Sequence, residues 1–126
     1  MLERYVKDAP EIAFDLLEIA DKPTTIIFEK AVFLPENVVA EDGSIGIRVT
    51  TEKFTSKLIE QLRKPLISTS ANLHGEPTPQ FFDEISDEIK TAVDYVVEYR
   101  QDDIEPKEPS SLISIKNSGE INIIRK

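Results

Sequence analysis

The chain has 126 residues and a mass of 14.3 kDa, enough for one domain with a core. Hydrophobic residues make up 40% and charged residues 31%, which excludes a disordered tail, and no apolar run approaches the roughly 18–20 residues of a membrane span. There is no cysteine and only one histidine, His74, so disulfide frameworks, Cys-ligated metals and two-His metal sites are excluded; a net charge of −9 makes the chain a poor general binder of polyanions. A nucleotide can still be held locally, by a few backbone N–H groups and one or two basic side chains. The opening residues Met1 to Tyr5 carry no apolar block of the signal-peptide kind.

In chain order, Pro10 opens a predicted helix near 10–20, with Ile12, Leu16, Ile19 and Ala20 on one face. Pro23 ends it, and residues 23–29 read as a β-branched, aromatic strand. The stretch from Ala31 to Ser44 is irregular, with an Asp42-Gly43 turn signal, and 45–49 is a second strand. A helix is predicted over 51–63, capped by Thr50 or Thr51, with Phe54, Leu58, Ile59 and Leu62 as its apolar face. Residues 65–69 read as a strand, and Thr78-Pro79 as the start of a helix over 79–90. The alternation of Tyr95, Val97 and Tyr99 predicts a strand over 94–99. Strands at 111–116 and 121–125 are joined through Asn117-Ser118-Gly119 as a hairpin. This order favours an α/β or α+β layer, with helices packed on a single mixed sheet.

The most unusual local sequence is Ser68-Thr69-Ser70-Ala71-Asn72-Leu73-His74-Gly75, a loop rich in donors after a strand. Such composition suits anionic oxygens. On spacing alone, a polar turn held by its own Ser and Asn contacts is the weightier reading. His74 has no Gly-x-Ser-x-Gly elbow or nearby Asp to make a triad with Ser68 or Ser70, and reads as an exposed loop residue. Asp102, Asp103, Glu105 and Glu108 lack calcium-loop spacing and read as a solvated acidic loop. Arg48, inside an apolar strand, reads as a rim residue that also suits a phosphate or carboxylate; Arg125 reads either the same way or as a frayed end.

Four blocks, in order, resemble the YrdC/Sua5 family, which makes threonylcarbamoyl-AMP from L-threonine, bicarbonate and ATP for the t6A modification of tRNA. Lys22 to Ile27 is similar to the family's Pro-Gly-Pro-x-Thr-x-Ile strand without its Pro-Gly start. Ile45 to Val49 is similar to Val-x-Val-Arg-x-Pro, with Thr50 in place of Pro. Pro65 to Pro77 resembles the Ser-Ala-Asn-x-Ser-Gly block, with His74 replacing the second Ser. Pro109 to Ile113 and Ile123-Ile124-Arg125 resemble the family's Pro-Ser-Thr-Ile and terminal Ile-x-Arg elements. The family's Pro-Thr-(Glu/Asp)-Thr, Tyr-Gly-Leu and Lys-x-Arg segments do not occur in these residues.

The resemblance implies a YrdC-like twisted mixed sheet with packed helices, residues 1–126 forming a single partial domain whose N-terminal part is missing. It implies a nucleotidyltransferase site in which Ser70, Asn72, Arg125, Thr25 and Arg48 contact ATP and Ser110 contacts L-threonine. ATP is then a substrate, with Mg2+ carried on the nucleotide and no protein-bound metal, and no catalytic residue is singled out. A cytoplasmic protein is implied, incomplete alone as an enzyme, with tRNA or double-stranded RNA as a partner of the full-length protein. The alternative reading is a non-catalytic nucleotide- or double-stranded-RNA-binding module of the same fold, and a third is a remnant that folds only with a partner chain.

Overall fold

A computed structural model describes residues 1–126. Backbone contacts group them into two compact units, one of residues 1–66 with 109–126 and one of residues 67–108. No helix is long and apolar enough to cross a membrane.

The first unit is built on a four-stranded mixed sheet: β1 (Thr24–Phe28), β2 (Ile45–Arg48), β3 (Ser111–Ile115) and β4 (Ile121–Arg125), in the order β2-β1-β3-β4. β1 runs antiparallel to β2 and parallel to β3, and β4 closes an antiparallel hairpin on β3. The hairpin turn follows the sequence signal. The Gly119 N–H donates to the Lys116 carbonyl, and Gly119 takes φ +91°, a left-handed value that glycine adopts at no steric cost.

Period-two alternation decides which face of the sheet is covered. Ile26 and Phe28 of β1 point inward beside Ile115 of β3, and helix α1 (Glu11–Ile19) lies over them. Pro10 caps α1 from an extended conformation (φ −70°, ψ 148°) and so stands one position before the first turn. The buried face of α1 is centred on Ala13, with Phe14, Leu16 and Leu17 packed around it. The predicted face is therefore rotated: Leu16 packs inward, whereas Ile12, Ile19 and Ala20 are exposed. Ala13 is fully buried in the cluster with Ile26, Phe28 and Ile115.

Helix α2 (Lys53–Leu62) begins two residues later than predicted, because Glu52 is its cap. The Glu52 carboxylate accepts from the N–H groups of Phe54 (3.1 Å) and Thr55 (2.7 Å), while the Thr50 hydroxyl accepts from the Glu52 N–H. Arg63 ends the helix in the left-handed region.

Ser111 is buried beside its register partner Thr24. The Thr24 hydroxyl donates to the Lys22 carbonyl, whereas the Ser111 Oγ has no partner. An unpartnered buried hydroxyl is a liability. Ser111→Ala is expected to leave stability unchanged or raise it by up to about 1 kcal/mol. A urea midpoint that rises or holds at constant slope checks this; a drop of more than about 1 kcal/mol would show a bond to Oγ.

The second unit departs most from expectation. Residues 65–69, at its start, and 94–99 form no ladder, although both carry strand-type side chains. An extended segment without a neighbour leaves its N–H and C=O groups to water, and no strand of this chain lies beside either. The predicted helix 79–90 is also divided. A short 3-10 turn at Phe82–Glu84 is followed by extended Ile85 and Ser86, and only then by α3 (Asp87–Ala92). The Glu84 carboxylate accepts from the Gln80 N–H at 2.7 Å, holding the chain before the turn. No residue of this unit is buried.

Candidate functional site

The sheet has a second face, not covered by α1, and register brings three candidate residues, with Leu112 among them, together at one end of it. Arg48 pairs with Thr25, Thr25 with Leu112, and Leu112 with Arg125. Directly paired residues share a face, so these four side chains form a row across all four strands. At the usual strand spacing the row spans about 14 Å from β2 to β4.

Arg125 belongs to this row only because the β3–β4 ladder is irregular. Ile113, Ser114 and Ile115 pair with Ile123, Asn122 and Ile121. In an unbroken ladder Leu112 would then face Ile124, and Arg125 would point to the α1 side. A register shift between Leu112 and Ile113 inserts Ile124 as an extra residue and places Arg125 opposite Leu112. Bulges re-aim side chains in this way and concentrate near functional sites. The sequence signal was the Ile123-Ile124 doublet, which breaks the alternation of β4.

Ser110, just before β3, ties the row together. Its hydroxyl lies 2.7 Å from the Thr25 hydroxyl, and its carbonyl accepts from Arg125 Nε at 2.9 Å. The Nε bond sets the direction of the guanidinium and leaves its terminal nitrogens for another acceptor. The chain carries 24 Asp and Glu residues, yet none of its ion pairs involves Arg48 or Arg125. Two unneutralised guanidiniums flanking a hydroxyl pair make an anion-directed surface.

Ser70 and Asn72 lie in the unit of residues 67–108. Ser70 is exposed. Asn72 is spent on its own loop: Nδ2 donates to the carbonyls of Leu73 (2.9 Å) and Glu76 (3.1 Å), and Oδ1 is shut off from solvent without a partner. The Glu76 N–H closes the turn onto the Leu73 carbonyl, with Gly75 at φ +85°. The amide therefore shapes the Ser-Ala-Asn loop, in line with the self-bonded polar turn, and its donors are occupied in this conformation. His74 sits exposed at the turn's tip.

In the acidic loop, Asp103 is bound to cations of its own segment: Arg100 donates to it, and Lys107 lies 3.5 Å from it and 3.4 Å from Glu105. The Arg100 hydrogen bond, then the Glu105 N–H and the Lys107 charge, hold the Asp103 carboxyl down to about 2. A carboxyl depressed in the folded state adds stability above its unfolded pKa, near 4, and loses that contribution as the pH falls through about 2. An NMR titration is expected to place the Asp103 midpoint near 2, and Arg100→Gln to raise it towards the ordinary carboxylate range. An unchanged midpoint in that variant would exclude Arg100 as the cause.

Comparison with known proteins bears on the family of the chain. The Sua5/YciO/YrdC family model, described as "Telomere recombination", matches residues 1–126. A Methanocaldococcus jannaschii protein provisionally named threonylcarbamoyl-AMP synthase is 34% identical over 119 residues, covering 94% of this chain and 53% of that protein. A Pyrococcus abyssi threonylcarbamoyl-AMP synthase is 24% identical over 98 residues, covering 77% of this chain and 29% of that protein. One from Klebsiella pneumoniae is 38% identical over 55 residues, 44% of this chain and 29% of that protein. The chain thus spans about half the length of the first relative and under a third of the other two. No solved structure matches it. The fold, the ordered motifs and the match along its whole length place the chain in the Sua5/YciO/YrdC family.

Proposed function

We propose that this chain supplies one wall of a threonylcarbamoyl-AMP synthase site, a nucleotidyltransferase site acting on L-threonine, bicarbonate and ATP in a cytoplasmic protein of tRNA modification. The observation that carries the reading is the row Arg48–Thr25–Leu112–Arg125, with Ser110 bonded to two of its members.

In the reaction, the threonine amine and bicarbonate give a carbamate with loss of water. A carbamate oxygen then attacks the α-phosphorus of ATP, forming the new P–O bond as the bond to pyrophosphate breaks. Charge builds on the phosphate oxygens, where preset cations are most effective. Arg125, aimed by Ser110, and Arg48 across the sheet would bind the phosphates, with Mg2+ arriving on the nucleotide. If the Thr25 hydroxyl donates to Ser110, the Ser110 proton is left to donate to the threonine carboxylate. The family resemblance assigns Ser70 and Asn72 to phosphate; within their own unit Ser70 is exposed and Asn72 holds the loop.

Two arginines are few for a triphosphate, and the family's Lys-x-Arg motif is absent from these 126 residues. The chain alone is therefore expected to bind ATP weakly and to release pyrophosphate at no appreciable threonine-dependent rate. A pyrophosphate assay with threonine, bicarbonate and ATP–magnesium tests this. Release by a complemented chain, lost on Arg125→Ala, supports the reading; equal release by that variant would refute the assigned wall.

A further inference from the structure

Leu112 is the apolar member of a row whose other residues are two arginines and a threonine. Alternate residues of a strand share a side, so its neighbours along β3 on that face are Ser110 and Ser114. A leucine framed by hydroxyls and a guanidinium interrupts a surface otherwise made to hydrogen-bond. Its diagonal neighbour on the same face is Ile27, the register partner of Ser114, and both apolar side chains are half-buried. Gly46, opposite Ile27 on β2, puts no side chain beside them: a Cβ there would stand 4.0 Å from Ile27 Cγ1 and 3.4 Å from Thr25 Cγ2. The Thr25 methyl is thus turned to β2 and its hydroxyl to Ser110. Leu112 and Ile27 make a small apolar spot next to the Ser110 hydroxyl.

Size and position select what meets this spot. Ser110 and Leu112 are two strand positions apart, about 7 Å. A small amino acid whose carboxylate accepts from the Ser110 hydroxyl therefore carries its side chain over Leu112. The side chain of L-threonine holds a hydroxyl and a methyl, and the methyl gains only from an apolar neighbour. We propose that Leu112, with Ile27 beside it, distinguishes L-threonine from L-serine by packing on the methyl group in which the two differ. The proposal rests on the assignment of the threonine carboxylate to Ser110. Rejecting an amino acid that lacks one such group is worth about 10-fold at the low end, which suits an open floor more than a closed pocket.

Titrating the full chain with L-threonine and with L-serine, followed by two-dimensional NMR, is expected to show threonine bound about 10-fold more tightly. Leu112→Ala is expected to bring the two amino acids to equal affinity, by weakening threonine and leaving serine near its parent value. Leu112→Thr keeps a strand-forming shape but puts a hydroxyl on the spot. It is expected to do the same, and it takes the place of the alanine variant if circular dichroism shows that one unfolded. A preference lost through threonine alone supports the proposal. An equal loss for both amino acids, or an unchanged ratio, overturns it. A Leu112 variant that loses ATP–magnesium affinity at an unchanged ratio also overturns it and gives the spot to the base of the nucleotide. Ser110→Ala tests the underlying assignment separately, and is expected to weaken threonine and serine by the same factor. If that variant binds both as the parent does, the carboxylate assignment falls, while the threonine-to-serine ratio still judges Leu112. A parent chain that binds neither amino acid overturns both.

Discussion

Phe28→Ala is expected to abolish the cooperative unfolding transition of the isolated chain. Phe28 is 2% exposed at the end of β1, its ring centre 6.5 Å from that of Phe14 on α1. It is the largest of only five buried apolar residues, with Val6, Ala13, Ile26 and Ile115. Truncating a buried phenylalanine costs about 3–5 kcal/mol, against total stabilities of about 5–15 kcal/mol for ordinary domains. A chain with so few buried side chains belongs at the low end of that range, so a single cavity consumes most of its margin. Urea titration followed by circular dichroism reads the loss directly. Phe33, 82% exposed, is the matched control, and its replacement by alanine should stay within about 0.5 kcal/mol. A Phe28 variant that unfolds at the parent midpoint would show that the α1–sheet contact does not hold the fold.

The second large effect is expected at Arg125, and it separates the charge from its placement. Arg125→Ala removes a charge-assisted contact worth about 1.5–3 kcal/mol, so ATP affinity should fall roughly 10- to 150-fold. Deleting Ile124 removes the extra residue of the β4 bulge and sets the arginine opposite Leu112 in an unbroken ladder, so the charge stays on the same face. The deletion is therefore expected to hold ATP affinity near that of the parent, while hydrogen exchange across β3 and β4 stays protected. Arg125→Lys should be intermediate, because an ammonium cannot both bond the Ser110 carbonyl through Nε and present a fork to phosphate. Calorimetry or ligand NMR with ATP–magnesium measures all three. If the deletion binds as poorly as Arg125→Ala, the strand face alone does not aim the guanidinium.

Much of the sheet was legible because its signals are local. Thr24–Phe28 alternates cleanly between faces, Ile45–Arg48 is bounded by turn residues, and the Gly119 turn marks the hairpin. The helix faces were less legible. Ala13 carries little hydrophobic weight in a periodic pattern, yet it is buried while Ile12 and Ile19 stay exposed. Glu52 displaced Thr50 as the cap because its longer carboxylate reaches two N–H groups at once. Segments 65–69 and 94–99 show the limit of strand propensity: β-branched and aromatic side chains make a segment ready to pair, but pairing needs a neighbour. For the candidate site, residue types were legible and their meeting was not. Nothing local announces that Thr25 and Ser110, 85 positions apart, share a hydrogen bond, and only the break of alternation at Ile123-Ile124 hints that Arg125 turns to their side.

The parallel pairing of β1 with β3 has a consequence for how the chain acquires its shape. During synthesis, α1, β1 and β2 are complete long before Ser111 leaves the ribosome, and until then one side of β1 has no ladder. The β3–β4 hairpin closes within a few residues and needs no distant partner, so it is expected to form as a unit onto which β1 docks late. The 67–108 unit is then a closed excursion between two strands that must meet. Because closure entropy grows only with the logarithm of length, doubling that excursion costs about 0.6 kcal/mol. Lengthening or shortening it should therefore move the closing rate and the equilibrium only slightly, so this stretch can vary in length at little cost in stability.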